Sequence, residues 1–301
     1  MQTVSGQTSV YGIIGEPVAH SLSPLFQNYF IQTTSLNAYY LPFLVQPSRL
    51  QTAMEGLHAA HVQGLNVTIP HKEAVLPWVN ADDDVQAIGA ANTLKRTEQS
   101  WVATNTDWQG FAAVIQGLAV DAASTPVLLF GAGGTAKAIL HALHHQGAQE
   151  VYICNRSQER AENLAHHASH LYPHMTTHLL DWQAQAVSIT SQKCSLIINS
   201  TSIGLGEADT FPFQLSGDGF AIDAVYKPHG NTAFCKAASR HQSVDGLPML
   251  IAQGIASFAF WHAKKLQSNA LNLPNRLESL QWVEQQLSRA PLSLPGWRKN
   301  A

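Results

Sequence analysis

Two side chains of opposite charge stand in polar segments where a proton could be transferred. Lys72 ends the segment NVTIPHK, and Asp107 follows Asn105 and Thr106. An ammonium can stabilise the negative charge that develops on a carbonyl oxygen, and it can supply the proton that this oxygen takes up. We therefore expect Lys72 to be the general acid and base, with Asp107 as its partner. In the alternative, Lys72 orients a substrate hydroxyl and a water completes the proton transfer.

The position of Lys72 is unusual for a lysine that serves only local structure. Residues 71–79 are predicted to form a helix, which places Lys72 in its first turn. A cation at the N-terminus of a helix opposes the helix dipole. Local preference therefore does not explain this lysine, whereas a role in chemistry would.

Polar side chains also follow another predicted strand of the first third, where α/β folds place ligands. Ser21 and Ser23 lie in a proline-bounded loop after the strand 10–14, so both hydroxyls could point the same way. Ser23 also suits the N-cap of the next helix, with Pro24 as the first helical residue. A binding role and a capping role therefore both stay open for Ser23.

A glycine-rich turn in the second half has the spacing that binds a dinucleotide. It fits G-x-G-x-x-A between an apolar strand and a predicted helix, and its residues are Gly131, Ala132, Gly133, Gly134, Thr135 and Ala136. The first glycine permits a tight turn, the second lets the backbone approach a pyrophosphate, and the alanine lets the helix pack on the strand. The helix N-terminus adds free N–H groups and a partial positive charge. The alternative is a βα turn with no ligand.

The end of the next strand, 151–154, indicates which dinucleotide would bind. Asn155 and Arg156 stand where a protein that prefers NAD carries an acidic residue for the ribose 2′-hydroxyl. A guanidinium suits a 2′-phosphate instead, and Arg160 can reach the same group from the following helix. We therefore expect NADP(H) rather than NAD or S-adenosylmethionine. The alternative is that both arginines belong to a solvated helix face.

Composition excludes other classes of partner. The 301 residues carry a net charge of -3, which provides no broad basic field for nucleic acid or anionic lipid. Three widely spaced cysteines without a CxxC pair predict reduced thiols, and no apolar run reaches the length of a membrane span. With no leader peptide recognisable at the N-terminus, we expect a cytoplasmic protein with a small-molecule partner, without nucleic acid or membrane.

Short apolar runs alternate with segments of helical period, which predicts an α/β fold of mostly parallel sheets in two domains. The predicted strands are 10–14, 38–45, 65–68, 92–95, 127–130, 151–154, 195–200 and 220–225. The predicted helices include 24–32, 48–61, 71–79, 107–118, 249–266 and 276–287. A complete βαβ unit begins at residue 125, so a second Rossmann-type domain is expected there. The ligands would then bind in the cleft between the two domains.

Nine motifs, in order, resemble the shikimate dehydrogenase family over residues 9 to 262. They are GEPVAHSLSP, NVTIPHK, GAANT, NTD, GAGGTA, NRS, NSTSIG, DAVYKP and DGLPMLIAQG. The resemblance implies reversible reduction of 3-dehydroshikimate to shikimate with NADPH, in the pathway to chorismate and aromatic amino acids. Relatives include monomers and homodimers, so either state is expected.

The resemblance also assigns site residues. The catalytic pair would be Lys72 and Asp107. The substrate would be bound by Ser21, Ser23, Thr68, Lys72, Asn92, Asp107, Tyr226 and Gln253. The cofactor would be bound by the glycine-rich turn together with Asn155, Arg156, Ser157, Arg160, Ser200, Thr201, Ser202, Ile203, Gly246 and Met249.

The expected domain order follows from the motifs and the resemblance. Residues 1–108 would form the substrate-binding and catalytic α/β domain, and 109–245 the Rossmann-type NADP-binding domain. Helices within 246–290 would return to the first domain. The segment 291–301, with two prolines and a glycine, is expected to be flexible.

Several positions depart from the family pattern. Phe26, Gln27 and Asn28 stand where His-Asn is usual, and a glutamine there also occurs in quinate/shikimate dehydrogenases. An enzyme that uses quinate, with NAD or NADP, is therefore one alternative, and a non-catalytic ligand sensor on the same fold is another. Trp108 and Ala103 replace residues that are usually small or glycine. The histidines around His166 and His170 lack further ligands at useful spacing, so no metal is expected.

Overall fold

The computed structural model describes residues 4–206 and 208–298, and the chain divides into two compact units. The first unit contains the residues up to Gln109 together with Ile251–Ser279. The second contains Gly110–Leu250 together with the residues from Leu280 onward. The assignment of substrate binding to one unit and cofactor binding to the other stays a prediction.

A mixed six-stranded sheet forms the centre of the first unit. Its strands are β1 (Ser9–Gly15), β2 (Ala38–Leu44), β3 (Gly64–Val67), β4 (Val79–Ala81), β5 (Thr93–Arg96) and β6 (Trp101–Thr104). Their order is β2-β1-β3-β5-β6-β4. β1 runs parallel to β2 and β3, whereas β5 is antiparallel to β3 and β6. The helices of this unit are α1 (Ser23–Thr33), α2 (Leu50–Ala59), α3 (Asp83–Ile88) and most of α9 (Leu247–Gln267).

The alternation of side chains along β3 explains how this sheet has an apolar face and a polar buried face. Leu65 and Val67 belong to an apolar cluster with Met54 of α2. Because successive side chains of a strand point to opposite faces, Asn66 faces the other way. On that face Trp261 of α9 packs so closely that a Cβ on Gly64 would lie 2.5 Å from the indole nitrogen. The absence of a side chain at position 64 therefore lets α9 approach the sheet.

Parallel strands form the six-stranded sheet of the second unit. They are β7 (Val127–Phe130), β8 (Glu150–Cys154), β9 (Thr176–Leu180), β10 (Leu196–Asn199), β11 (Phe220–Asp223) and β12 (Gln242–Val244). Their order is β12-β11-β10-β7-β8-β9. This is the doubly wound order of a Rossmann fold, in which the strand order reverses beside β7. The helices are α4 (Asp107–Leu118), α5 (Gly134–His145), α6 (Gln158–Leu171), α7 (Ala184–Ser191), α8 (Ala233–Ala237), α10 (Arg276–Gln286) and α11 (Pro295–Arg298), of which α4 and α10 begin in the first unit. The predicted α/β fold class with parallel-rich sheets is confirmed.

The predicted helix at 71–79 is wrong. Residues 72–75 form turns, followed by the 3-10 turn Leu76–Trp78 and then by β4. Pro77 lacks the N–H that a helix would need at that position, so a longer helix is not favoured. Lys72 therefore lies in a turn, where no helix dipole opposes its charge.

The expectation of a flexible C-terminal segment is also wrong for the part that the structure describes. Leu294 and Trp297 are buried, and the indole Nε1 of Trp297 donates to the carbonyl of Ala113 at 2.8 Å. A Cβ on Gly117 would lie 2.7 Å from that nitrogen, so α4 and α11 pack in close contact. Residues 299–301 lie outside the described part. Across the described residues, none of the helices combines the length and the apolar character needed to span a membrane.

Candidate functional site

Lys72 and Asp107 form a close ion pair in the first unit. Nζ of Lys72 lies 2.6 Å from Oδ2 of Asp107, and the side chains are 18% and 8% exposed. Asp107 is the first residue of α4, and its backbone N–H donates to Oδ1 of Asn105 at 3.0 Å. Asn105 is itself held by a hydrogen bond to the carbonyl of Ala90. The predicted catalytic partners are therefore in contact. The hydrogen bonds of Asn105 also restrain the backbone at Asp107.

Asn92 holds the other oxygen of the same carboxylate. Its Nδ2 lies 2.8 Å from Oδ1 of Asp107, 3.0 Å from the hydroxyl of Thr106 and 3.3 Å from Oε1 of Gln253. Its Oδ1 accepts the backbone N–H of Thr106 at 2.7 Å. The amide therefore orients Asp107 and links it to Gln253 on α9. Four residues predicted from separate motifs, Lys72, Asn92, Asp107 and Gln253, come together.

A second layer of polar groups lies beneath Asn92. Asn66 donates to Ser257 at 2.9 Å and to Thr93 at 3.1 Å, while the hydroxyl of Tyr40 donates to Asn66 at 2.7 Å. Burial raises the pKa of Tyr40 well above its usual value, although a hydrogen bond with Ser23 opposes this. Tyr40 is therefore a neutral donor. Sequence reasoning included Asn66 in the NVTIPHK motif without assigning it a role, and it missed Tyr40 and Ser257 as parts of this site. Asn66 could have been recognised from the sequence, because it is a polar residue within an apolar strand.

The remaining predicted substrate residues of the first unit lie between β1 and the start of α1 and directly after β3. Ser21 Oγ accepts the N–H of Ser23 at 3.2 Å, and Ser23 is buried at the start of α1. The capping alternative for Ser23 is wrong, because Leu22 occupies the N-cap position. Thr68 follows β3, and its Cγ2 occupies the space that a Cβ on Gly15 would need. Tyr226 belongs to the second unit, after β11, so its predicted role stays a prediction.

Two departures from the family pattern have local structural explanations. Gln27 is buried and its Nε2 donates to the carbonyl of Gly254 at 2.9 Å, so it joins α1 to α9. The indole of Trp108 donates to Oδ2 of Asp84 at 3.0 Å, which joins the first turn of α4 to α3. Ala103 is fully buried in β6. Nothing in these contacts favours a change of substrate.

The two glycines of the glycine-rich turn in the second unit have different surroundings. Gly131 has φ +108°, and a Cβ there would collide with Oγ of Ser200. Gly133 is the N-cap of α5 in an extended conformation, and a Cβ there would meet no atom within 4 Å. Gly131 is therefore needed by the fold, whereas the open space at Gly133 fits a ligand at a helix N-terminus. Ala136 is fully buried, as close packing of helix on strand requires.

Two exposed guanidinium groups follow the end of β8. Arg156 and Arg160 are both exposed. Ser157 is the N-cap of α6, with Oγ accepting the N–H of Arg160 at 3.4 Å, and Asn155 donates to the carbonyl of Ser157 at 2.8 Å. Asn155 and Ser157 therefore shape the start of α6, where Arg156 precedes the N-cap and Arg160 lies in the first turn. The predicted cofactor contacts of these four residues stay predictions.

Hydrogen bonds hold the predicted nicotinamide-side segment 200–203 against its sheet. Oδ1 of Asn199 accepts the N–H of Thr201 at 3.0 Å and its hydroxyl at 2.7 Å, and Thr201 Oγ1 accepts the N–H of Ile203. Nδ2 of Asn199 donates to Asp223 at 2.8 Å. Burial raises the pKa of Asp223 to about 6. Asn199 and Asp223 were missed by sequence reasoning, although both stand at the ends of apolar strands.

The other predicted cofactor residues lie in this segment, in the loop after β12 and in α9. Ser202 is exposed in segment 200–203, whereas Gly246 packs against the loop after β11 and Met249 is buried in α9.

In α6, the ring centroids of His166 and His170 are 4.3 Å apart, and His170 Nδ1 contacts the carbonyl of His166. The absence of a bound metal stays a prediction.

Comparison with known proteins gives consistent matches along the chain. Residues 13–94 match the family described as shikimate dehydrogenase substrate binding domain, and residues 114–203 match shikimate / quinate 5-dehydrogenase. The shikimate dehydrogenase (NADP(+)) of Thermosynechococcus vestitus is 38% identical over 270 residues, which cover 87% of this chain and 92% of the relative.

Solved structures match over nearly the whole chain. The shikimate dehydrogenase of Aquifex aeolicus is 34% identical with a TM-score of 0.80, covering 96% of this chain and all (100%) of the other. The shikimate 5-dehydrogenase of Thermus thermophilus, in complex with NADP(H) and shikimate, is 27% identical with a TM-score of 0.79, covering 93% and 100%. The chain therefore belongs to the shikimate dehydrogenase family.

Proposed function

We propose that this protein is a shikimate dehydrogenase, an NADP-dependent oxidoreductase that reversibly reduces 3-dehydroshikimate to shikimate in the pathway to chorismate and aromatic amino acids. The observation that carries the proposal is the Lys72–Asp107 ion pair, held by Asn92 within a buried polar site. Relatives named shikimate dehydrogenase (NADP(+)) and a relative solved with NADP(H) and shikimate support this substrate and cofactor.

The catalytic step assigned to this chain is a proton transfer at Nζ of Lys72. In the direction of reduction, the Lys72 ammonium donates a proton to the substrate oxygen that becomes the hydroxyl. In the reverse direction, Nζ takes that proton back. Asp107 holds Nζ in place and Asn92 holds Asp107, so the donor is positioned before the substrate arrives. A water that completes the transfer, with Lys72 orienting the hydroxyl, is the alternative form of this step.

NADPH, when bound, supplies the hydride. The glycine-rich turn from Gly131 to Ala136 would hold its pyrophosphate, and the open space at Gly133 supports this assignment. Arg156 and Arg160 would hold the 2′-phosphate, together with Asn155 and Ser157 at the start of α6. The segment from Ser200 to Ile203, with Gly246 and Met249, would lie beside the nicotinamide.

The substrate contacts are proposed from the family resemblance and from the placement of the residues. Lys72, Asn92, Asp107 and Gln253 already share one hydrogen-bonded group. The other proposed contacts are Ser21, Ser23, Thr68 and Tyr226. We also propose a cytoplasmic location, a monomer or homodimer, and no nucleic-acid or membrane partner, in agreement with the charge and cysteine spacing of the sequence.

The test is oxidation of shikimate by the purified protein, followed by the absorbance of the NADPH formed from NADP+. Parallel assays replace shikimate by quinate and NADP+ by NAD+. We expect kcat/KM to be highest for shikimate with NADP+, because arginines rather than a carboxylate follow β8. Turnover of quinate at a higher kcat/KM would replace this proposal by the quinate alternative, and binding of shikimate without turnover would indicate a sensor.

A further inference from the structure

Arg289 reaches two loops of the second unit from the segment that follows α10. Its Nη1 donates to the carbonyl of Lys227 at 3.1 Å, and its Nη2 lies 2.9 Å from Oδ2 of Asp245. Lys227 lies in the loop after β11, and Asp245 directly follows β12. The side chains of the ion pair are only 9% and 4% exposed. One guanidinium of the C-terminal segment therefore connects two loops that lie far from it in sequence.

The two loops also contact each other through their backbones. The N–H of Gly246 donates to the carbonyl of Val225 at 2.9 Å, and a Cβ on Gly246 would collide with the carbonyl oxygen of Ala224. Oδ1 of Asp245 accepts the N–H of Leu247 at 3.2 Å, at the first turn of α9. A shift of Asp245 would therefore move the start of α9 and the adjoining loop together.

The charge of Arg289 also compensates buried carboxylates. Burial raises the pKa of Asp245, and the attraction of Arg289 is the largest influence that opposes this. Burial likewise raises the pKa of Glu284, whose Oε1 accepts the N–H of Leu292 and which Arg289 also attracts. Removing one partner of a buried ion pair leaves an uncompensated charge, which favours a local rearrangement.

We propose that Arg289 is a positioning residue for the dehydrogenase, because it fixes the loop that carries Tyr226 and the loop with Gly246 that leads into α9 and Met249. The inference rests on the proposed function, which assigns those three residues to the substrate and the nicotinamide. An arginine suits this task because its planar fork can contact a carboxylate and a carbonyl at once, whereas a lysine presents a single charged point.

The hydrogen bond and ion pair of Arg289 do not include the catalytic pair. Lys72 and Asp107 belong to the first unit, and the hydrogen bond and ion pair of Arg289 described above lie within the second. Loss of Arg289 should therefore weaken the binding of NADPH and raise the KM for NADPH. The kcat at saturating substrate and cofactor should change little.

The experiment compares hydrogen–deuterium exchange and NADPH binding, followed by NADPH fluorescence, in the whole protein and three single variants. In Arg289→Met, we expect the amides of segments 224–229 and 245–250 to exchange at least tenfold faster and the Kd for NADPH to rise at least tenfold, with kcat within threefold of wild type. Arg289→Lys should keep the unfolding midpoint near that of wild type and still raise the Kd severalfold. The control Arg240→Met removes an exposed arginine of the same unit, and it should change neither the amide exchange nor the Kd for NADPH.

A double variant distinguishes positioning from charge compensation. If Arg289 only neutralises Asp245, adding Asp245→Asn to Arg289→Met should restore wild-type exchange and NADPH affinity, and that result would overturn the proposal. Unchanged exchange in Arg289→Met would overturn it as well. Neither readout needs shikimate turnover, so an inactive wild-type protein would refute the proposed substrate while the exchange and NADPH data still decide the role of Arg289.

Discussion

Lys72 and Asp107 are 35 positions apart in the sequence, and their side chains meet at 2.6 Å. Oδ2 of the carboxylate forms this contact, and the amide of Asn92 binds Oδ1 at 2.8 Å. A carboxylate held at both oxygens cannot rotate freely, so the ammonium beside it is confined as well. This arrangement provides a proton donor of fixed position at the edge of a buried polar network.

Replacement of Lys72 by alanine should therefore remove the group that takes up the proton during oxidation and donates it during reduction. We expect kcat for shikimate oxidation to fall by about 100-fold or more, with a smaller change in KM, since this is the range for loss of an acid–base group. Steady-state kinetics at saturating NADP+ measure it. Lys264→Ala, which truncates an exposed lysine of the same unit, is the control. Turnover near the wild-type rate in Lys72→Ala would remove Lys72 from the mechanism.

Alanine at the two glycines of the dinucleotide turn should have different effects. Gly133→Ala should fold with less than about 1 kcal/mol lost, because the position is extended and the space is open. It should nevertheless raise the Kd for NADPH at least about tenfold, since the methyl group occupies the space of the pyrophosphate. Gly131→Ala should cost about 2 kcal/mol or more, because φ is +108° and Ser200 is in the way. Unchanged NADPH affinity in Gly133→Ala would contradict the assignment of the turn.

The parts of the fold that were predicted correctly carry their signals locally. Helix α4 runs over the predicted residues 107–118, and the glycine-rich turn joins β7 to α5 as its spacing indicated. An apolar strand, a glycine turn and a helical period are all contained within a few residues. The short strand β4 and the turn around Lys72 were missed, because the signals there are weak and Pro77 overrides the apparent helical period.

The candidate site was predicted only where a motif named its members. The hydrogen bond between Asn66 and Ser257 joins residues 191 positions apart, and neither the NVTIPHK motif, which begins with Asn66, nor the sequence around Ser257 indicates this partner. Such a contact depends on where α9 meets the sheet, which in turn depends on the small residue at Gly64. Sequence periodicity describes each element separately, so it does not specify which polar groups meet between them.

Arg156→Ala should change the choice of cofactor more than the reaction. Loss of the guanidinium removes a partner of the 2′-phosphate, which NADPH carries and NADH lacks. We expect KM for NADPH to rise about tenfold or more while KM for NADH stays within about twofold. Kinetics with both cofactors measure the ratio, and Arg240→Ala provides an exposed arginine of the same unit as control. An equal change for NADPH and NADH would show that Arg156 does not contact the phosphate.

Trp297→Ala should destabilise the second unit although position 297 lies near the end of the chain. The indole is 6% exposed, packs on Gly117 and donates to the carbonyl of Ala113. Truncation of a buried tryptophan costs about 3–5 kcal/mol, so the free energy of unfolding in urea should fall by that amount. Leu179→Ala, at a leucine that is 49% exposed in the same unit, should cost less than about 1 kcal/mol. If Trp297→Ala lost less than about 1 kcal/mol as well, the expectation of a flexible C-terminal segment would be restored.

His262 should make the first unit sensitive to acid. Its ring contacts those of Tyr11 and Phe258, and burial lowers its pKa from 6.5 to about 4, with Lys265 and Lys95 adding repulsion. Below pH 6.5 the unfolded chain therefore binds a proton that the folded protein does not bind until about pH 4. The stability that the neutral ring contributes is complete above pH 6.5 and is lost as the pH falls toward 4, by about 3 kcal/mol in total.

The variant His262→Phe keeps an aromatic ring in this position and removes the titration. Its free energy of unfolding, relative to that of the wild type, should improve by about 3 kcal/mol between pH 7 and pH 4. Urea denaturation at several pH values measures this difference directly. The difference in unfolding free energy between variant and wild type should change between pH 6.5 and pH 4. The other titrating groups are common to both proteins, so most of their effects cancel in the comparison. A difference that stays constant over this interval would mean that the folded protein takes up the proton at His262 as readily as the unfolded chain does.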